Sequence, residues 1–468
     1  MENKRRKLAD ADAEYDVVVV GSGLGGLTTA RRLSKFGHKV LLVERHHMLG
    51  GLATWFKRRK DVFDVSLHGF PIGMKKTLRK YWSAEIAERV VQLKRIVFDN
   101  PQFSLETTFT KEDFIKLITE KFGLKNEVIL DFFKELRRMD FFDDRTEKTG
   151  DLFERYFPGR SDVVRLLMEP IAYANGSSTD EPAITYGIVF SNFMSKGVYT
   201  IEGGTDWLID EMERLLLAEG VHVVTNAHVD EISLNAGKVV GIRCGKVRIG
   251  AKAVVSNANL RATIDDMLLG SVLPSEFRSA SDAVRLSSSS TQVYIGLKDG
   301  AVVPDIGDLL FTSTAPEFSS RELSAFDTRS RTFSMYYPKT RPGHDRYTIV
   351  ASSNALYDDW ANFDAVEYAE SKSALIERTI DALERYLPNV REKIGYLAAA
   401  TPKTFERYTG HVMGASFGTK FEGLEVSMAL SEAVPGLYHT GSTGIIMSGW
   451  LGAANYGAII ANKVDEKL

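Results

Sequence analysis

The residues best suited to chemistry stand close together near the N-terminus. Gly21-Ser22-Gly23-Leu24-Gly25-Gly26 fits the pattern G-x-G-x-x-G. In that pattern Gly21 permits a tight turn, Gly23 lets the backbone approach a pyrophosphate, and Gly26 lets a helix pack closely on a strand. Glu44 follows eighteen residues after Gly26. Its carboxylate can accept hydrogen bonds from both ribose hydroxyls and would repel a 2′-phosphate. The constellation predicts a dinucleotide site that is not for NADP.

These residues need particular elements to position them. Asp16-Val17-Val18-Val19-Val20 is a short apolar run, as in a strand buried on both faces of a parallel sheet. Leu27, Ala30 and Leu33 recur at helical spacing, and Gly37 can stop that helix. Lys39 to Glu44 reads as a second strand ending at the acid. The helix N-terminus between them offers free N–H groups and a positive dipole end to phosphates. A glycine pattern alone is weak; here strand, helix, second strand and acid all agree.

Composition narrows the class. The 468 residues are 44% apolar, 26% charged and 10% aromatic, as in an ordinary globular enzyme. Fifty-nine basic against sixty-two acidic residues leave a net charge of −3, which argues against a nucleic-acid partner. Cys244 is the single cysteine, so there is no internal disulfide, Cys-x-x-Cys pair or cysteine zinc site. No Ser-His-Asp order or His-Glu metal spacing stands out, and no metal is expected. A reducing, cytoplasmic setting is expected, because Lys4 to Lys7 are not followed by an apolar signal core. Ala433 to Asn462 carries no Asp, Glu, Lys or Arg. That is long enough to span a bilayer at about 20 residues, but its Pro435 and many glycines predict a buried strand, loop and helix instead.

Three separated blocks carry a resemblance. The first is "ERHHMLGGLA" (Glu44 to Ala53) with "FDVSLHGF" (Phe63 to Phe70). The second is "IEGGTDWL" with "GVHVVTNAHVDEI" and "AKAVVSNAN", and the third is "GLYHTGSTGIIMSGWLGAANYGAIIAN". Together they resemble the flavin amine oxidase and phytoene desaturase superfamily. "RYTGHVMGASFGT" and "FDVSLHGFPIGM" are similar to the carotenoid cis–trans isomerase and retinol saturase branch. The resemblance implies FAD, with Arg45, Gly50, Gly51 and Leu52 beside it and backbone groups at Val229 facing the adenine. Gly441, Ser442, Trp450 and Leu451 would contact the cofactor from the closing motif. Ser442 departs from the family pattern, which has an acid bonding the ribityl chain, and Ser66 replaces a usual glycine.

The implied fold is α/β, a Rossmann-like FAD-binding domain (1–74, 200–286 and 401–468) interleaved with an α+β substrate domain (75–199 and 287–400). The implied function is an FAD-dependent oxidoreductase on a long apolar polyene, a carotenoid or retinoid, working by desaturation, saturation or cis–trans isomerisation. The alternatives are a flavin amine oxidase-type enzyme and a non-catalytic isoprenoid-binding protein of the GDP-dissociation-inhibitor type. Eleven of the 26 phenylalanines lie between Phe98 and Phe157. They read as a helical core, with some rings expected to line an apolar pocket. His68 is the one catalytic residue named, with a hydrogen-bonded structural role as its plainer reading. Lys75, Lys76, Arg79, Lys80, Tyr81 and Trp82 combine basic and interfacial aromatic residues. They read either as a peripheral membrane contact or as a solvated helix.

Overall fold

The fold is taken from a computed structural model that describes residues 4–140, 146–194, 196–269, 273–338, 341, 346–444 and 446–468. Seven strands form the first sheet. The order is His222–Val224, Val40–Val43, Glu14–Val20, Val247–Ser256, Lys238–Cys244 and Glu231–Asn235, with Leu437–His439 also paired to Val247–Ser256. The ten-residue strand Val247–Ser256 divides one edge between two partners. Its first half pairs antiparallel with Gly241 to Cys244, and its last three residues pair parallel with Leu437–His439. The valine run near the N-terminus feeds two cores because side chains alternate along a strand. Val17 and Val19 face one cluster with Leu27, Leu33 and Ile460, whereas Val18 and Val20 face another with Ile242 and Leu430.

Four strand ends converge at one crevice. The glycine-rich loop follows Val20, Glu44 follows Val43, Asn257 follows Ser256 and Thr440 follows His439. All four strands are parallel. Ligands of such sheets bind beyond the C-terminal strand ends.

The second sheet also has seven strands, in the order Ile394–Ala400, Ser289–Leu297, Thr348–Ala355, Ser330–Tyr336, Leu309–Ser313, Ile96–Asn100 and Phe103–Thr107. Every pairing is antiparallel except that of Ile96–Asn100 with Leu309–Ser313. Helices cover it, among them Lys111–Glu120, Asn126–Arg138, Ser161–Asn175 and Ala183–Met194. The Thr110 cap is present: its hydroxyl accepts from the Asp113 amide. Of the eleven phenylalanines, Phe141 and Phe142 lie outside the described residues. The other nine join one core cluster, and of these Phe109 alone lines the main cavity. The block is therefore mainly core.

The uncharged C-terminal run becomes the strand Leu437–His439, a turn and the helix Gly449–Asp465. No described helix is long and apolar enough to cross a membrane. The expected interfacial role of Trp82 is corrected. Trp82 is 4% exposed, lies under Arg31 and donates to the Thr28 hydroxyl. Lys75 and Arg79 pair with Glu88.

The Leu24–Lys35 and Gly449–Asp465 helices cross in backbone contact. A Cβ on Gly457 would lie 2.3 Å from the Gly25 carbonyl oxygen, and one on Gly25 would lie 2.4 Å from the Thr440 carbonyl oxygen. The Thr29 hydroxyl donates to the carbonyls of both Gly25 (2.8 Å) and Gly457 (2.9 Å). Only glycine fits at this crossing. Gly457→Ala is expected to cost about 1–3 kcal/mol by overpacking and to lower the melting temperature and the flavin content together. Unchanged melting would show that the helices can move apart freely.

Candidate cofactor and substrate cavity

One cavity of about 1520 Å³ runs from the crevice of the first sheet to the face of the second. At the first-sheet end it is walled by Gly21, Ser22, Gly23, Leu24 and Gly25. Gly21 has φ +92°, which its turn requires of a glycine. Gly26 lies behind the wall: a Cβ there would be 2.1 Å from the Gly21 carbonyl oxygen, so its smallness serves the helix–strand contact. The Gly50-Gly51 turn docks on this loop. The Gly50 amide donates to the Ser22 carbonyl at 2.9 Å, and a Cβ on Gly51 would be 3.0 Å from the Gly23 Cα. Gly50, Gly51, Leu52 and Arg45 all line the cavity.

Glu44 faces the same space. Its Oε2 accepts from the Ser22 amide (2.8 Å) and hydroxyl (2.6 Å), and its Oε1 from the His46 amide (2.7 Å). Oε1, with one donor, keeps lone-pair capacity for a further one. Val229 lines the cavity beside Ala227 and His228. Asn257, to which the sequence reading gave no role, ties the strand ends together. Its amide donates to the Val20 carbonyl and its side chain to the Thr440 carbonyl.

A second helix opens on the cavity. Ser442, Trp450 and Leu451 line it, whereas Gly441 does not. Gly441 packs in the turn behind, where a Cβ would lie 2.6 Å from the Ala258 carbonyl oxygen. Its place among the cofactor contacts is therefore corrected. Phe70 stacks on Trp450 at 5.4 Å.

The donor set fits an anionic dinucleotide of the flavin kind. Neither the helix starting at Leu24 nor the one starting at Gly449 has a side-chain cap. Ser448, the natural cap of the second, gives its hydroxyl to the Phe417 carbonyl instead. First-turn amides left without acceptors, at the positive end of a helix dipole, attract negative groups. Trp450 Nε1 is also buried without a partner.

The other end of the cavity lies on the second sheet. Register puts Ala400, Gln292, Ser352, Thr332 and Phe311 in one row across five strands. The floor is polar in its middle and apolar toward Leu309, Phe311 and Ile96. His68 stands over the polar part. Its Nδ1 lies 2.7 Å from Ser334 Oγ, and its Nε2 lies 3.1 Å from Ser352 Oγ and 3.3 Å from Gln292 Nε2. The Tyr294 hydroxyl donates to Gln292 Oε1, which turns the Gln292 amide N–H toward His68. Nε2 then accepts, and Nδ1–H donates to Ser334. Burial pushes the imidazole down to about 4, so the ring is neutral near pH 7. Both ring nitrogens are already engaged, which favours an orienting role over proton transfer. Gln292, Ser334, Ser352 and Asn257 escaped the sequence reading, because nothing local marks them.

A comparison with protein families matches residues 24–443 to the flavin containing amine oxidoreductases. The chain belongs to this family. It is accordingly an oxidoreductase with a flavin cofactor. Among curated relatives, the chain is 23% identical over 501 residues to a chloroplastic prolycopene isomerase of Daucus carota, covering 97% of this chain and 80% of that protein. It is 25% identical over 534 residues to an all-trans-retinol 13,14-reductase of Danio rerio, covering 96% and 86%. The fold is similar to that of an oxidoreductase from Methanosarcina mazei, with a TM-score of 0.69, 17% identity and coverage of 95% and 99%.

A second neutral histidine lies beneath the closing motif. His439 Nδ1 accepts from Ser427 (2.7 Å), Nε2 donates to the Ala258 carbonyl (2.9 Å), and burial pushes it down to about 4. Unfolded imidazoles titrate near about 6.5. Between about pH 6.5 and 4 the unfolded chain therefore binds protons that the folded chain refuses. Stability is expected to be full above that window and to fall within it, by on the order of 3 kcal/mol for each histidine. Melting temperature against pH checks this, and His439→Asn should flatten part of the slope. A wild-type curve flat from pH 7 to 4.5 would contradict it.

Proposed function

We propose that the chain is an FAD-dependent oxidoreductase that exchanges hydride with a long apolar polyene, a carotenoid or a retinoid. The observation that carries this reading is the apolar arm of the cavity. Ile96, Phe109, Pro170, Ile171, Leu309 and Phe311 line it, continuous with the cofactor end. Small-molecule pockets usually measure about 300–1,000 Å³, so a cavity of about 1520 Å³ has room for a second, elongated occupant. A polyene offers few hydrogen-bonding groups. Its affinity must come from burial, at about 25 cal/mol per Å² of apolar surface.

When bound, the flavin supplies hydride exchange at its N5. The protein's share is position and environment. The uncapped Leu24–Lys35 helix and Glu44 would hold the diphosphate and ribose of FAD. The N-terminus of Gly449–Asp465, which opens on the cavity, would favour negative charge on the bound flavin. His68, neutral and fixed by Ser334, Ser352 and Gln292, would orient the chain without placing a charge beside it. The apolar arm excludes water from the reacting carbons.

The choice between polyene and amine rests on charge. A protonated amine calls for a carboxylate partner. Among the described residues, the carboxylates lining the cavity are Glu44, Asp230 and Asp266, all on the first-sheet side. The two curated relatives are themselves named for polyenes, prolycopene and all-trans-retinol.

The purified protein is expected to be yellow. It should convert prolycopene isomers or all-trans-retinol, under oxidising or reducing conditions, to products separable by chromatography. Peroxide release from amines with both polyenes untouched would overturn the substrate class. A protein that stays colourless with added FAD would overturn the enzyme reading in favour of an isoprenoid-binding protein.

A further inference from the structure

One residue lining the apolar arm holds a backbone conformation that its type resists. Phe109 lies two residues past the strand Phe103–Thr107 and has φ +58°. A bulky side chain rarely occupies this left-handed region, and such outliers persist only where their surroundings impose them. The surroundings are visible. The Phe109 amide donates to Thr107 Oγ1 at 2.9 Å, and the Thr107 hydroxyl donates to the Asp113 carboxylate at 2.5 Å. The Thr108 amide donates to the same carboxylate oxygen at 2.7 Å. Asp113, in the first turn of its helix, thus fastens the turn.

The fastened turn drives the ring inward. Phe109 is 2% exposed and lines the cavity. Behind it, Phe114 meets its ring edge-on at 4.8 Å and does not line the cavity. Phe311 repeats the arrangement, lining the cavity with Phe98 stacked behind it at 4.8 Å. All four rings belong to one core cluster, and of the four Phe109 and Phe311 are the two that reach the cavity. Leu309 pairs with Ser334, on which His68 rests, and Ile96 pairs with Leu309. Two strand spacings put Ile96 about 10 Å from Ser334, and Thr107, two residues before Phe109, pairs with Ile96 on the next strand.

We propose that Phe109 closes the apolar arm and sets the length of apolar chain that fits between its ring and the His68 site. This rests on the reading that an apolar chain occupies the arm. The strained turn keeps the ring in the one place where it acts as a stop, which a relaxed loop would not do.

The test uses the flavin-loaded protein and straight-chain 1-alkanols of graded length, with Kd from calorimetry, so no turnover is required. In the wild type, Kd should tighten about fourfold per added CH₂ up to a limiting length and then level off. Phe109→Gly removes the ring and suits the positive φ. It should carry the tightening on by at least two further carbons. Phe109→Leu, the milder change, should fall between the two. An identical limit in all three proteins, a wild type with no limit, or no alkanol binding would each overturn the inference. A shifted limit with no polyene turnover would leave it standing and count against the polyene reading. Polyene turnover with an unshifted limit would do the reverse.

Discussion

The two helices whose N-termini open on the cavity are held there by crossing each other. Here that crossing is the contact of Gly25 with Gly457, tied by the Thr29 hydroxyl to both carbonyls. Any side chain at the contact would push the helices apart and turn one N-terminus away. The same crossing explains why the C-terminal run is uncharged and rich in small residues: much of it is interior, packed on the first helix and on the strands. Both N-termini lack side-chain caps. Uncapped first turns cost stability in an empty protein. A cofactor that accepts from them returns that stability on binding, which links folding to flavin loading.

The reactive part of the site belongs to neither sheet alone. His68 is carried on the segment that leaves the cofactor crevice, yet its ring is held entirely by second-sheet residues. The Tyr336 hydroxyl donates to the neighbouring Leu67 carbonyl and holds the backbone as well. A buried ion cluster joins the two halves nearby. Arg341 pairs with Asp64 and Asp206, and the Thr205 amide donates to Asp64. Burial pushes the Asp64 carboxyl up, and the Arg341 charge with the Thr205 donors pulls it back. A Cβ on Gly204 would collide with the Arg341 guanidinium, so the second glycine of "IEGGTDWL" makes room for this junction. Such a cluster adds little net stability, but removing one partner strands the other charge, which keeps the halves in one relative position.

What was legible in the sequence was local. The glycine loop, its flanking strands and Glu44 lie within thirty residues and announce themselves by type and order. The closing motif is legible for the same reason, although Gly441 packs behind the cavity wall. The hairpin Ile96–Asn100 with Phe103–Thr107 sits inside a segment whose phenylalanines read as a helical core. Its signal was present: Phe103, Leu105 and Thr107 alternate with exposed residues, and Asn100-Pro101 makes the turn. The strand's other partner, Leu309–Ser313, lies some two hundred residues away. Trp82 looked interfacial because its neighbours are basic, a pattern blind to which face of the helix end is covered. The partners of His68 are 224 to 284 residues distant in the chain, beyond any spacing argument.

The polar middle of the second sheet has a physical consequence of its own. Serine, threonine and glutamine on a cavity floor would be a liability for an apolar occupant unless their hydrogen bonds were already made. Several are: Ser352 and Gln292 donate to His68, Ser334 accepts from it, and Asn354 donates to the Ala172 carbonyl. An engaged polar group presents little demand to what lies over it. The network therefore lets one stretch of floor hold a histidine rigidly and still admit a hydrocarbon. Charge would defeat this arrangement. An imidazolium there would need a counter-ion or water in a space otherwise suited to carbon chains, and burial, which pushes His68 down to about 4, keeps that state from forming near neutral pH.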